Sequence, residues 1–283
     1  MPAYENRYWS HDGLKLHYRD YPGEPGAVPV LCLPGLTRNA RDFHDLACRL
    51  AGARRVLAVN LRGRGGSEYA RDPMTYVPAT YVRDVQALLA DQGIGWFVAI
   101  GTSLGGIVTM LLAAAGAPVV AAVLNDVGPE IEPDGIRRIR GYVGRGSSFP
   151  TWMHAARAVQ ESNGDVYPDW TIEDWLGMAK RLYRLTGAGR IVLDYDLKIA
   201  EPFKVPGNEA APDMWGALAA LATRPVLVVR GERSDVLGRR TAERMAAALP
   251  GAALLTVPRV GHAPTLAETG VAKAVERLVA AAG

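Results

Sequence analysis

Trp96-Phe97-Val98-Ala99-Ile100-Gly101-Thr102-Ser103-Leu104-Gly105-Gly106-Ile107-Val108-Thr109-Met110-Leu111-Leu112 is the stretch whose reading decides the fold of this 283-residue chain. It begins as an apolar run of strand length, tightens into Gly-Thr-Ser-Leu-Gly, and continues as an apolar segment with helical character. Strand, sharp turn and helix is the setting in which a serine hydroxyl stands clear of the backbone. Such a hydroxyl is a weak nucleophile until a base takes its proton. The turn crowds its neighbours, which accounts for glycine two residues before and two after Ser103.

Similar apolar runs occur on either side: Val28 to Leu33, Val56 to Leu61, Val119 to Asn125, Pro225 to Arg230 and Ala253 to Val257. They are continuous rather than alternating, as expected of parallel strands covered on both faces. Leu14 to Arg19 alternates with period two after Asp12-Gly13, which predicts an antiparallel hairpin at one edge. Phe43, Leu46, Ala47 and Leu50, and again Val271, Ala274, Val275 and Leu278, follow helical spacing. The expectation is an α/β fold with a mostly parallel sheet of about eight strands and helices on both faces. The alternation breaks between Gly128 and Pro206, a segment that reads as an insertion. Its aromatics, Tyr142, Phe149, Trp152, Trp170, Trp175, Tyr183 and Tyr195, are expected to form an apolar surface, with Trp152, Trp175 and Tyr183 as the expected pocket residues.

A serine so placed needs a base. Of the five histidines, His262 stands in a loop just past a strand's carboxyl end, where ligands bind in open α/β sheets. His11, His17, His44 and His154 lie in the hairpin, a helix or the insertion. The carboxylate that orients the imidazole is expected to be Asp235, in Gly231-Glu232-Arg233-Ser234-Asp235. Asp126, directly after another strand, competes with it, and Glu232 is a weaker alternative. The backbone N–H groups of Leu104 and of Leu36, in Leu33-Pro34-Gly35-Leu36, are the expected donors to a developing oxyanion.

Composition bounds the remaining possibilities. The chain has 49% apolar and 22% charged residues, and 32 Lys+Arg against 29 Asp+Glu. This profile suits a folded domain and argues against nucleic acid or an acidic membrane as partner. Cys32 and Cys48 make neither a disulfide framework nor a metal motif. No signal-like segment opens the chain, so a cytoplasmic location is expected. Ile107 to Leu124 is uncharged and near the ~18-residue minimum for a membrane span. Gly116 and Pro118 interrupt it, and a buried helix followed by a buried strand is the expectation. No phosphate-binding glycine loop is present, so no cofactor and no metal are expected. A small molecule is the expected partner, with the chain a monomer or a homodimer.

Four landmarks in order, Leu33-Pro34-Gly35-Leu36, Asn60-Leu61-Arg62-Gly63-Arg64-Gly65-Gly66-Ser67, the turn around Ser103, and Gly231 to Asp235 followed by Gly261-His262-Ala263-Pro264, resemble the α/β-hydrolase superfamily. The resemblance covers nearly the whole chain. It implies a core domain over 1–127 and 207–283, with a helical cap over 128–206 inserted after the sixth strand. It also implies hydrolysis without a cofactor. Pro34 stands where such proteins usually carry His, and Asn60 where they usually carry Asp. Relatives that open epoxides or displace halide carry Asp at the turn, so Ser103 argues against both. The expected activity is hydrolysis of a carboxylic ester, lactone or thioester of a small to medium apolar substrate through an acyl-serine. Cleavage of a carbon–carbon bond in a ring-cleavage dienoate is the alternative within enzymes, favoured if a carboxylate-binding arginine of the insertion, Arg137, Arg181 or Arg190, faces Ser103, and a hydrolase-like receptor is the alternative outside them.

Overall fold

A computed structural model describes residues 4–205 and 214–282. In chain order its strands are β1 (Glu5–His11), β2 (Leu14–Tyr21), β3 (Val30–Leu33), β4 (Val56–Val59), β5 (Phe97–Thr102), β6 (Val119–Asn125), β7 (Ser148–Phe149), β8 (Tyr183–Leu185), β9 (Ile191–Leu193), β10 (Val226–Gly231) and β11 (Ala253–Val257). The α-helices are α1 (His44–Leu50), α2 (Pro78–Asp91), α3 (Leu104–Ala114), α4 (Pro133–Tyr142), α5 (Trp152–Asn163), α6 (Ile172–Leu182), α7 (Met214–Ala219), α8 (Arg239–Ala248) and α9 (Thr269–Ala281).

Eight strands form one sheet in the order β1-β2-β4-β3-β5-β6-β10-β11. From β4 to β11 every pairing is parallel, while β1 and β2 pair antiparallel at the edge. Asp12 and Gly13 join that hairpin with φ of 54° and 70°, the paired positive angles of a type I′ turn. Side chains alternate across the sheet: Leu31, Leu33 and Ala99 face one apolar cluster, and Val30, Cys32, Val98 and Ile100 the other. Helices α2, α3, α7 and α8 cover the first face and α1 and α9 the second. Each such buried Val, Ile or Leu contributes about 1.5–3 kcal/mol, which is why these strands read as unbroken apolar runs. The uncharged stretch Ile107 to Leu124 divides into the end of α3 and β6, and among the described residues no helix is long and apolar enough to cross a membrane.

The segment between β6 and β10 carries α4, α5, α6 and a separate small sheet in the order β7-β9-β8. Its expected end at Pro206 lies outside the described residues. It encloses an apolar cluster of its own, built on Ala155, Val159, Tyr167, Trp175, Met178 and Ile191. There Trp170 stacks on Tyr167 with ring centroids 3.9 Å apart and leans on Trp175 at 4.8 Å.

Asn60, at the end of β4, shows what its departure from Asp does. Its Oδ1 accepts the Ala40 N–H at 2.6 Å, so its Nδ2 faces His17 Nδ1 at 2.7 Å and must donate to it. His17 Nδ1 is therefore unprotonated, and Nε2–H donates to Asn6 Oδ1 at 2.8 Å. Burial, helped by Arg19, pushes His17 down to about 4. The unfolded chain protonates this imidazole below about pH 6.5, whereas the folded chain resists until about 4, so folded stability falls as pH drops through that window. His17→Gln should lower Tm at pH 7 and narrow its gap to the parent on acidification to pH 4.5, as followed by circular dichroism. A gap independent of pH would show that His17 is not held neutral.

Candidate active site

The carboxyl ends of the central strands bring the site together. In the β5–β6 register Thr102 lies opposite Asn125, so Ser103 and Asp126 leave adjacent strands side by side. The Ser103 N–H donates to the Asn125 carbonyl at 2.9 Å and ties the two turns together. Ser103 has φ 51° and ψ −118°, a conformation that L-residues rarely adopt and that the surrounding packing must impose. The flanking glycines permit that packing: a Cβ on Gly101 would lie 2.4 Å from the Gly105 carbonyl oxygen, and one on Gly105 would lie 1.9 Å from that of Leu33.

His262 Nε2 lies 3.0 Å from Ser103 Oγ. Its Nδ1 lies 2.7 Å from Asp126 Oδ2, and this corrects the expectation of Asp235. Asp126 is fully buried, with φ 57°, and its carboxylate also accepts the Gly231 N–H at 2.8 Å and the Ser234 hydroxyl at 2.7 Å. The loop expected to bring the carboxylate therefore brings donors to it. Asp235 turns away, in a bidentate pair with Arg138 of α4 at 2.6 and 2.8 Å that holds its carboxyl below the usual range. Position relative to β5 decides the matter: Asp126 follows the neighbouring strand directly, whereas Asp235 lies four residues past a strand one place further out. Glu232 is spent on the Arg259 N–H at 2.7 Å.

Ser103 and His262 open into a cavity of about 560 Å³, with Gly35 and Leu36 on its wall. Leu104 begins α3 immediately after Ser103, where helical N–H groups have no partner within the helix. Of the expected pocket residues, Tyr183 lines the cavity, together with Tyr142, Phe149 and Tyr195. Trp152 and Trp175 do not. Trp175, 1% exposed, belongs to the insertion's own core and Trp152 packs against the same cluster, because their large apolar rings gain more by closing that small core.

Two features go beyond the expected pocket, although Arg181 is among the arginines the sequence offers for it. Tyr167 lines the cavity, and its hydroxyl donates to the Ala263 carbonyl, beside His262. Burial raises that hydroxyl above the ordinary phenol range. Its neighbour Val166 accepts the Gly261 N–H at 2.9 Å, so the insertion grips the histidine loop directly. No motif marks these contacts; only their place in the fold does. The second feature is charge. Against the expectation of an apolar hollow, Arg38, Arg138, Arg145 and Arg181 line the cavity. Arg38 is paired with Asp42 at 2.6 Å and Arg138 with Asp235, whereas Arg145 and Arg181 form no ion pair among the described residues. No group of three or more His, Cys, Asp or Glu among the described residues is placed to hold a metal ion.

The alpha/beta hydrolase family matches residues 30–274. The chain belongs to that family. It is 36% identical over 268 residues to a 3-hydroxybutyrate-oligomer hydrolase of Cupriavidus necator, covering 90% of this chain and 89% of that one. It is 28% identical over 238 residues to a 2-succinyl-6-hydroxy-2,4-cyclohexadiene-1-carboxylate synthase of Salmonella heidelberg, covering 83% and 88%. The crystal structure of an alpha/beta hydrolase from Novosphingobium aromaticivorans superimposes with a TM-score of 0.94 at 62% identity, covering 99% of each chain. The eight-stranded, mostly parallel sheet with its flanking helices is the α/β-hydrolase fold.

The two carboxylates are separable without any assay of activity. A proton on His262 Nδ1 held against a buried carboxylate should give a low-field resonance in proton NMR spectra at low temperature. Asp126→Asn should abolish it and Asp235→Asn should leave it in place. The reverse pattern would reject the assignment of Asp126.

Proposed function

We propose that this α/β-hydrolase cleaves a carboxylic ester through an acyl-serine, with Ser103 as nucleophile, His262 as general base and acid, and Asp126 orienting the imidazole. The observation that carries the reading is the unbroken chain from Ser103 Oγ through the imidazole, at 3.0 Å, to the buried Asp126 carboxylate, at 2.7 Å. The Ser103 hydroxyl proton passes to His262 Nε2 as Oγ attacks the carbonyl carbon. Asp126 holds the Nδ1–H tautomer and stabilises the imidazolium. The Leu36 and Leu104 N–H groups take the charge that develops on the substrate oxygen. His262 then protonates the departing alkoxide, and a water activated by the same imidazole hydrolyses the acyl-serine. Residues 128–206 act as a cap over this site, with Tyr142, Phe149 and Tyr183 facing the substrate.

The substrate we infer is a short ester that also carries a carboxylate. Two arginines without an ion-pair partner among the described residues face the cavity, and a substrate anion would supply the missing charge. The Cupriavidus relative acts on 3-hydroxybutyrate oligomers, which are chains of esters ending in a carboxylate, and its 36% identity supports the same class here.

Ser103→Ala should lower kcat by at least about 10⁴-fold with the fold intact. Asp126→Asn should cost about 10⁴-fold, and Asp235→Asn no more than about tenfold. Hydrolysis that survives Ser103→Ala would refute the mechanism. Arg181→Gln should raise KM about tenfold or more for an acid-terminated dimer ester, yet leave the KM of its methyl ester within about threefold, since one charge-assisted contact is worth about 1.5–3 kcal/mol. Equal effects on both esters would remove the anion from the reading. In a parallel panel, turnover of a ring-cleavage dienoate without ester hydrolysis would transfer the chemistry to a carbon–carbon bond. Tight binding without turnover of any member would favour a receptor.

A further inference from the structure

Arg64 is fully buried and, among the described residues, forms no ion pair. Its neighbour Arg62, 1% exposed, is neutralised by Asp84 through bonds of 2.7 and 2.6 Å. Arg64 instead sits over two aromatic faces, with Cζ 5.5 Å from the Tyr76 ring centroid and 5.0 Å from that of Tyr81. Nε donates to the Leu36 carbonyl at 2.9 Å and Nη1 to the Arg62 carbonyl at 2.6 Å, while Nη2 makes no well-aligned hydrogen bond among the described residues and has the Tyr81 side chain as a polar neighbour. A buried cation without a counter-ion is costly, and a neutral side chain would pack here more cheaply. What the cation holds is the carbonyl of Leu36, on the wall of the cavity beside Ser103.

The backbone of Arg64 is itself clamped from above. It bridges antiparallel to Tyr195, flanked by Gly65 N–H to the Asp194 carbonyl at 3.0 Å and Asp196 N–H to the Gly63 carbonyl at 2.7 Å. The guanidinium thus stands between a segment of the insertion and the loop after β3. On the far flank of that loop, Asn39 Nδ2 and Arg41 Nη2 each donate to the Arg181 carbonyl at 2.8 Å, at the end of α6. Insertion and loop are therefore joined on both sides.

We propose that Arg64 is a positioning residue for the oxyanion hole. By fixing the carbonyl of the Leu36–Thr37 peptide it pins the chain on the carboxyl side of Leu36, while the Gly35–Leu36 peptide that carries the Leu36 N–H is held by the Arg38 N–H, which donates to the Gly35 carbonyl at 3.1 Å. Together the two contacts set the direction in which that N–H meets the substrate oxygen, and Arg64 makes it depend on the docking of the insertion. The proposal rests on the ester-hydrolysis reading with Leu36 as donor. A guanidinium suits the task because its rigid planar fork holds two carbonyls in fixed directions, which the rotatable ammonium of lysine does not.

The test compares Arg64→Met and Arg64→Lys with the parent, with active sites counted by burst titration so that loss of folded protein does not register as loss of rate. For Arg64→Met, kcat should fall about 10²–10³-fold, the effect of losing one oxyanion donor. KM and the affinity for the product acid should stay within about threefold. Affinity for an alkyl boronic acid, whose adduct with Ser103 carries a tetrahedral oxygen anion, should fall by the same factor as kcat. Arg64→Lys keeps the buried charge and guards against a failure of Arg64→Met to fold; its kcat should fall about tenfold with KM unchanged. Either variant at the parent's kcat and boronate affinity, even with a lowered Tm, would overturn the proposal. If the parent hydrolyses no ester, the ester reading fails by itself. Boronate binding, which needs Ser103 and the hole but no turnover, then still decides the role of Arg64, with Ser103→Ala as its blank.

Discussion

The site depends on one buried carboxylate. Asp126 has no contact with solvent, and a charge in that position is tolerable only because three donors converge on it: the His262 imidazole, the Gly231 N–H and the Ser234 hydroxyl. Two of the donors, the Gly231 N–H and the Ser234 hydroxyl, come from the end of β10 and the turn that follows it, and the third from the loop after β11. The same hydrogen bonds that make the charge bearable fix the imidazole towards Ser103. Were one of them lost, the carboxylate would be left partly unpaired in a low dielectric, so stability and alignment of the site are the same problem.

The strained turn at Ser103 is the complement of that arrangement. Its positive φ is held by β5 on one side and α3 on the other, and the closeness of Gly105 to the Leu33 carbonyl leaves the turn no room to relax. Strain and burial are concentrated at adjacent strand ends, where the parallel register of β5 and β6 makes them neighbours. Rigid strands hold what loops alone would leave loose.

The segment between β6 and β10 reaches the loops of the site directly. It grips the histidine loop through Val166 and Tyr167, and the loop after β3 through the Arg181 carbonyl and the pairing of Tyr195 with Arg64. Its three tryptophans go to a core of its own, whereas Tyr142, Phe149, Tyr167, Tyr183 and Tyr195 and the arginines Arg138, Arg145 and Arg181 line the cavity among aliphatic and small polar side chains. An expected apolar hollow is thereby lined by four arginines, two of which form no ion pair among the described residues.

The strand runs, the edge hairpin, the elbow at Ser103 and the place of His262 were all legible in the amino-acid sequence, because each is governed by local rules: burial on both faces, turn stereochemistry, and glycine where a side chain would collide. The choice between Asp126 and Asp235 was not. Both follow strands, and only the order of those strands in the sheet, with the pairing of Asp235 to Arg138, separates them. The three tryptophans of the insertion show the same limit, since composition calls them large and apolar but not which side of a small core they face. Local stereochemistry is written residue by residue, whereas the partner of a buried charge is decided by which distant segments the sheet brings within hydrogen-bonding distance.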